Sequence, residues 1–208
     1  FLSLSGRGLI SSRKKIQMIF QDPFGSLNPS QTVGFMLMRG LELQGINTIE
    51  AKERALELLQ QVGLGEQAFK RKPRNFSGGQ RQRIGIARAL SMGPDVIVAD
   101  ECVSALDLSV QKQVLLLLND LQKTYQMAII FITHDLRVAA QVSDYITVME
   151  KGKMVEFGTA SDVFNQPKHE YTKRLLEAAP GRDWHPPRLS AEEAAEIAKS
   201  LEASSLEQ

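Results

Sequence analysis

Residues 77–101 read SGGQRQRIGIARALSMGPDVIVADE, and this stretch decides the fold. Residues 79–91 are predicted to form a helix, which the Gly93-Pro94 pair then breaks. The apolar run at residues 96–99 is typical of a strand that is buried on both faces of a parallel sheet. A helix that leads through a short break into such a strand indicates an α/β protein.

The sequence on either side continues this alternation. Strands are predicted at residues 15–20 and 128–133, both as buried strands, and a hairpin is predicted from residues 145–150 and 153–157. Helices are predicted at residues 32–63, 109–125 (with Ser109 as the N-cap), 136–142, 161–165 and 169–178. Loops are predicted at residues 1–13 and 70–75, and a surface tail from residue 180. The fold prediction is therefore α/β with a mainly parallel sheet.

Composition excludes several classes of protein. Lys and Arg total 25 against 24 Asp and Glu, a net charge of +1, which argues against a nucleic-acid partner or an anionic membrane surface. The single cysteine, Cys102, excludes an internal disulfide and a cysteine-based metal cluster, and it fits a reducing compartment. No apolar run approaches the roughly 20 residues of a membrane-spanning helix, so any membrane role is expected to act through partners.

The SGGQ turn (residues 77–80) has the features of an anion site. Gly78 and Gly79 allow the backbone to approach a ligand closely, and the N-terminus of the following helix offers N–H groups and the positive end of a dipole. Ser77 and Gln80 frame these two glycines. Standing alone, the same tetrapeptide fits an ordinary loop-to-helix turn better.

Polar residues stand at the ends of the predicted parallel strands, where such sheets bind ligands. Asp100 could hold Mg²⁺ through water, and Glu101 could orient an attacking water. His134 follows the next strand and could donate to a terminal phosphate. The Gln21 amide could contact metal or water. Taken singly, each residue fits a solvated or structural role as well, but their shared position predicts one site.

The motifs occur in a specific order. They are Gln21-Asp22-Pro23, SGGQRQRIGIARAL from Ser77, VIVADE to Glu101, SALD to Asp107, and FITHD around His134. In this order they resemble the nucleotide-binding subunit of ABC transporters, over residues 16–178. The resemblance implies a P-loop NTPase core with a helical subdomain, and the cofactors ATP and Mg²⁺.

The resemblance also implies a role for each matching residue. Asp100 would be the magnesium carboxylate, Glu101 the catalytic base, His134 the switch histidine, and Gln21 the Q-loop glutamine that links the site to membrane subunits. Ser77, Gly78, Gly79 and Gln80 would meet ATP bound by an opposing ATPase subunit, with Asp107 at the dimer interface.

A narrower resemblance points to importers. FQDPFGSLNP at residues 20–29 and NQPKHEYTKRLLEAAP at residues 165–180 look like the oligopeptide, dipeptide, nickel and glutathione branch. The implied function is ATP hydrolysis that energises import of peptides or similar small solutes. The implied partners are a second ATPase subunit, permease subunits and, indirectly, a substrate-binding protein. The expected location is the cytoplasmic face of the inner membrane, as a peripheral subunit.

One motif of the family has no match here. Nothing fits G-x-x-x-x-G-K-[ST], the loop that wraps phosphates. Because the chain also begins at Phe1, the expectation is an N-terminally truncated and inactive fragment. The expected divisions are a core remnant (1–30), a helical subdomain (31–92), the catalytic core (93–165), an importer element (166–182) and a flexible tail (183–208). A non-transport ABC ATPase, a non-catalytic partner subunit and the second half of a fused tandem stay open as alternatives.

Overall fold

The computed structural model describes residues 5–178 and divides them into two compact units. The first unit ends at Ile132 and contains a three-stranded sheet, while the second begins at Thr133 and contains a two-stranded sheet. None of the helices in the described range combines the length and apolarity that crossing a bilayer requires.

The first unit contains the strands and helical regions predicted for it and two further helices, Gly6–Lys15 and Pro23–Ser26, that were not predicted. It contains α1 (Gly6–Lys15), β1 (Ile16–Ile19), α2 (Pro23–Ser26), α3 (Val33–Leu43), α4 (Thr48–Gln61), α5 (Gly78–Leu90), β2 (Val96–Asp100), α6 (Leu108–Tyr125) and β3 (Ala128–Ile132). The predicted helical region at residues 32–63 is two helices, separated by a turn in which Gly45 has φ 94°. The predicted loop at residues 70–75 includes a 3₁₀ turn, Pro73–Asn75.

The three strands of this sheet are parallel, in the order β1-β2-β3. Ile19 pairs with Ala99, and Asp100 pairs with Ile132, so all three strands end at the same edge. Both connections run through helices, as parallel strands require. The α/β prediction with a parallel sheet is confirmed.

The helices of the first unit bury apolar residues in different patterns. On α4 the buried residues Ala51, Ala55, Leu58 and Leu59 recur at the spacing of an amphipathic helix. On α6 five consecutive residues, 114–118, are buried together with Leu121. The packing of α5 against β1, α3, α4 and α6 places the start of this helix in a fixed position on the sheet.

The prediction that β1 and β3 are buried strands is wrong. Ile16 is 42% exposed, Ile130 55% and Ile132 45%. Within residues 5–178 each of these two strands pairs with β2 alone, so both are edge strands of the sheet. An apolar run reports strand propensity, but exposure depends on the neighbours that the fold supplies.

The loop predicted at residues 1–13 is also wrong from Gly6 onward, because α1 occupies that region; residues 1–4 lie outside the described range. Glycine and serine are poor helix formers, so this segment was predicted to be a loop. The helix ends with Arg13, Lys14 and Lys15, cations that interact favourably with the negative end of the helix dipole.

The predicted N-cap of α6 is two residues away from the observed one. Asp107, not Ser109, caps the helix: its Oδ1 accepts from the Val110 N–H at 3.0 Å. Ser109 lies in the first turn and donates its hydroxyl to the same oxygen at 2.7 Å. Both residue types are good caps, so local sequence could not separate them.

The second unit contains α7 (Leu136–Val142), β4 (Tyr145–Glu150), β5 (Lys153–Thr159), α8 (Ala160–Asn165) and α9 (Glu170–Ala178). The predicted hairpin is confirmed: β4 and β5 are antiparallel, and the turn residues Lys151 and Gly152 both have positive φ, as a type I′ turn requires. The five predicted domain divisions stay predictions. Residues 179–182 of the importer element and the tail at residues 183–208 lie outside the described residues.

Candidate functional site

Gln21 and Glu101 meet at the carboxyl edge of the parallel sheet. Gln21 Nε2 donates a hydrogen bond to Glu101 Oε2 at 2.7 Å, although the two residues are 80 positions apart. Gln21 follows β1 by two residues, and Glu101 directly follows β2. Since β1 and β2 are neighbours in register, their ends bring the amide and the carboxylate together. Asp100 is the last residue of β2 and is half-buried.

The backbone of Glu101 is held in an uncommon conformation. Its φ is 44°, in the left-handed region that non-glycine residues rarely adopt. Its N–H donates to the Ile132 carbonyl at 2.9 Å, and its own carbonyl accepts from both the N–H and the hydroxyl of Ser104. Strain of this kind persists only where surrounding contacts impose it, so the fold directs the Glu101 side chain.

Cys102 stands next to Glu101, but its thiol faces the interior. The residue is 2% exposed, and desolvation by burial raises the pKa of its thiol to about 12. A thiol with this pKa is protonated at neutral pH, so it does not act as a nucleophile.

The SGGQ turn starts α5 with a capping box. The Gln80 N–H donates to Ser77 Oγ at 3.3 Å, and the Ser77 N–H donates to Gln80 Oε1 at 3.0 Å. Ser77 is exposed at this helix start. A Cβ added to Gly79 would overlap Val110 Cγ1, so this glycine allows α5 to approach α6 closely.

Asp107 belongs to the same neighbourhood as the SGGQ turn. It caps α6, whose first-turn residue Val110 contacts Gly79. Hydrogen bonds from the Ser109 hydroxyl and then from the Val110 N–H lower the pKa of the Asp107 carboxyl below its ordinary value. Two helix N-termini therefore lie side by side at the SGGQ turn.

His134 lies in the second unit, in the turn that leads into α7. Thr133 Oγ1 accepts from the Asp135 N–H at 3.0 Å, and Asp135 caps α7 by accepting from the Arg137 N–H at 2.9 Å. The Arg137 guanidinium also binds Asp135, at 3.0 Å, and lowers the pKa of that carboxyl. These contacts fix the backbone around His134. The convergence of His134 with Asp100 and Glu101 stays a prediction.

The side chains at the sheet edge fit a magnesium ion that takes some of its ligands from a phosphate group. Among residues 5–178, no cluster of three His, Cys, Asp or Glu side chains could hold a metal ion. Mg²⁺ usually takes one or two carboxylates and completes its shell with phosphate oxygens and water. The Asp100 carboxylate and the Gln21 amide oxygen are donors of this kind, so Mg²⁺ is expected to enter with a phosphate ligand.

Sequence reasoning missed three residues in and around α2, the short helix that follows Gln21. Phe24 lies in α2, and Arg81 and Arg88 on α5 both contact that short helix. The two arginines are seven residues apart, which places them on one face of α5. This spacing is the sequence feature that could have pointed to them. Their partner on α2 is a tertiary contact that local patterns do not reveal.

The chain is similar to proteins of known families. A family model described as ABC transporter matches residues 3–104. A putative peptide import ATP-binding protein from Brucella ovis is 49% identical over 182 residues, covering 87% of this chain and 57% of that protein. An oligopeptide transport ATP-binding protein from Bacillus subtilis is 47% identical over 178 residues, covering 85% of this chain and 58% of that protein. The chain thus spans less than two thirds of the length of these relatives.

A solved structure supports the same family. It is the dimeric post-hydrolysis state of the ATP-binding cassette MJ0796 bound to ADP and Pi. The two folds match with a TM-score of 0.66 at 30% identity, over 76% of this chain and 68% of that one. The chain belongs to the ABC transporter family.

Proposed function

We propose that the protein containing this chain hydrolyses ATP to drive import of peptides or similar small solutes. The observation that carries the proposal is the hydrogen bond between Gln21 and Glu101 at the carboxyl edge of the sheet. Parallel α/β sheets bind ligands at this edge. The names of the Brucella and Bacillus relatives support peptides as the cargo.

Glu101 is the proposed catalytic base. Its carboxylate accepts the proton of the attacking water, and the left-handed backbone at this residue directs the side chain. The Gln21 amide N–H donates to Oε2 of this carboxylate at 2.7 Å and so restrains its orientation. Asp100, with phosphate oxygens, would hold Mg²⁺, which when bound neutralises charge on the phosphates.

The remaining site residues act at the terminal phosphate and at a second subunit. His134 is proposed to donate a hydrogen bond to the terminal phosphate. Ser77, Gly78, Gly79 and Gln80 would meet ATP held by the opposing ATPase subunit, because the exposed N-terminus of α5 favours an anion. Asp107, at the adjacent helix start, would lie at this subunit interface. The dimeric MJ0796 structure, named with ADP and Pi, supports such an arrangement.

The proposed partners are permease subunits and, indirectly, a substrate-binding protein, with no nucleic acid. The protein would work as a peripheral subunit at the cytoplasmic face of the inner membrane. Residues 1–208 contain no G-x-x-x-x-G-K-[ST] loop, so by themselves they are expected to hydrolyse ATP negligibly. Phosphate release by the purified 208-residue chain measures this, and robust turnover would contradict it.

Uptake of a labelled dipeptide tests the proposed function. Cells that lack the gene would receive the full-length wild type, Glu101→Gln, or the control Glu53→Gln, which changes an exposed carboxylate on α4. Wild type and Glu53→Gln are expected to restore uptake, and Glu101→Gln is expected not to. Full uptake with Glu101→Gln would refute the catalytic role, and absence of dipeptide uptake with wild type would refute the peptide cargo.

A further inference from the structure

The short helix α2 connects Gln21 to α5. It begins two residues after Gln21 and is capped by Asp22, whose Oδ1 accepts from the Phe24 N–H at 2.8 Å. Pro23 is buried, and Leu27, which follows the helix, is 2% exposed. Because α2 begins only two residues after Gln21, its position constrains the segment that carries Gln21.

Arg81 binds the first half of α2. Its guanidinium carbon lies 3.8 Å from the centre of the Phe24 ring. Arg81 Nε donates to the Pro73 carbonyl at 2.8 Å, and Nη2 donates to the Arg74 carbonyl at 3.3 Å. The residue is only 9% exposed. A planar guanidinium can cover a ring with its face while its edge donates to carbonyls, and an ammonium group cannot do both.

Arg88 binds the end of α2. Its Nη1 donates to the Ser26 carbonyl, which is one of the carbonyls that a helix end leaves without a helical partner. Burial lowers the pKa of the Arg88 guanidinium, so this charge lies in a partly desolvated place where its hydrogen bond is strengthened.

The two arginines form a clamp, defined here as Arg81 and Arg88. They are seven residues apart, about 10 Å along one face of α5. Arg81 lies over the Phe24 ring and Arg88 donates to the Ser26 carbonyl, so α2 is held at two points. The helix that carries the clamp begins at the SGGQ turn. One rigid helix therefore joins that turn to the segment after Gln21.

We propose that Arg81 and Arg88 are positioning residues that hold α2 against α5, and so keep the Gln21 amide within reach of Glu101. This inference rests on the proposed ATPase function. Neither arginine contacts reacting atoms, and both act through the Gln21 amide.

ATPase kinetics of the full-length protein test the clamp. The variants Arg81→Lys and Arg88→Lys keep the positive charge but lose the planar guanidinium. Each is expected to lower kcat about tenfold. This size follows from the usual energy of a cation–π contact or of a hydrogen bond to a charged group. The KM for ATP is expected to stay within about twofold, because ground-state binding is untouched. Arg39→Lys, an exposed arginine on α3, is the matched control and should behave as wild type.

Phe24→Leu gives a second variant that spares the core, since Phe24 is 64% exposed. It should reproduce the kcat loss of Arg81→Lys with an unchanged melting temperature, and the double variant should be no worse than either single one. Wild-type kcat in both Phe24→Leu and Arg81→Lys would overturn the clamp.

Combination with Gln21→Ala separates positioning from general packing. If the clamp acts through Gln21, adding Arg88→Lys to Gln21→Ala causes no further loss of kcat. Losses that multiply would overturn the inference, because independent effects add in free energy. Full activity of Glu101→Gln would instead refute the proposed function. Loss of activity in Glu101→Gln with wild-type kinetics in the clamp variants would refute the clamp alone.

Discussion

The amide of Gln21 donates to the carboxylate of Glu101 at 2.7 Å, across 80 positions of sequence. A hydrogen bond to a charged acceptor is about twice as strong as one between neutral groups. The Gln21 side chain therefore restrains the rotation of the Glu101 carboxylate. This contact joins the segment before α2 to the end of β2, and it is the basis of the proposed chemistry.

Replacement of Gln21 tests that restraint. Gln21→Ala removes the donor to Glu101, and a hydrogen bond to a charged group contributes about 1.5–3 kcal/mol. We expect kcat of the full-length ATPase to fall about 10- to 100-fold, measured by steady-state phosphate release. Gln60→Ala, an exposed glutamine on α4, is the control. Unchanged turnover in Gln21→Ala would mean that the contact has no part in hydrolysis.

The close approach of α5 and α6 predicts a specific coupling between Gly79 and Val110. Gly79→Ala introduces a methyl group that overlaps the stiff, β-branched Val110 side chain. The effect of Gly79→Ala on the free energy of unfolding should be about 1–3 kcal/mol more destabilising in the wild type than in a Val110→Ala background.

Urea unfolding of the four variants of this cycle in the full-length protein measures the coupling. The intrinsic gain in helix propensity from alanine is common to both backgrounds, so it cancels in the comparison. Equal effects of Gly79→Ala in the two backgrounds would show that the helices do not meet at these residues.

The cap of α6 predicts a pH dependence. The hydrogen bond from the Ser109 hydroxyl, and then that from the Val110 N–H, lower the pKa of Asp107 in the folded protein. A lowered pKa stabilises the fold above the unfolded value, about 3.9, and this contribution is lost as the pH falls through the folded value. Asp107→Asn keeps a capping oxygen and does not titrate.

Melting temperatures of the wild type and Asp107→Asn between pH 7 and pH 3 check this dependence. The wild type is expected to lose stability relative to Asp107→Asn as the pH falls below about 4. If the difference in melting temperature between the two proteins is the same from pH 7 to pH 3, the Asp107 cap does not cause the pH dependence.

The sequence was sufficient to predict the sheet edge. The apolar run at residues 96–99 ends at Asp100, and Gln21 follows another apolar run, so the rule that parallel strands end together predicted their proximity. The same rule could not predict which atoms meet. The bond between Gln21 Nε2 and Glu101 Oε2 depends on the left-handed turn at Glu101, and a glutamate gives no local signal for such a turn.

Other features depend on tertiary contacts that no local pattern contains. Ile130 and Ile132 look like core residues, but β3 is an edge strand within the described residues and leaves them exposed. Asp107 and Ser109 are both good caps, and only the observed hydrogen bonds distinguish them. The contact between Arg81 and Phe24 joins residues on two different helices, so it became visible only in the folded chain.

Single-turnover hydrolysis by the full-length Glu101→Gln protein tests the central claim most directly. Radiolabelled ATP and Mg²⁺ would be mixed with excess enzyme, and bound ATP and ADP would be separated over time. Loss of a general base is expected to slow ADP formation by about 10²- to 10⁴-fold while ATP stays bound. Formation of ADP at the wild-type rate would contradict the assignment of Glu101 as the base.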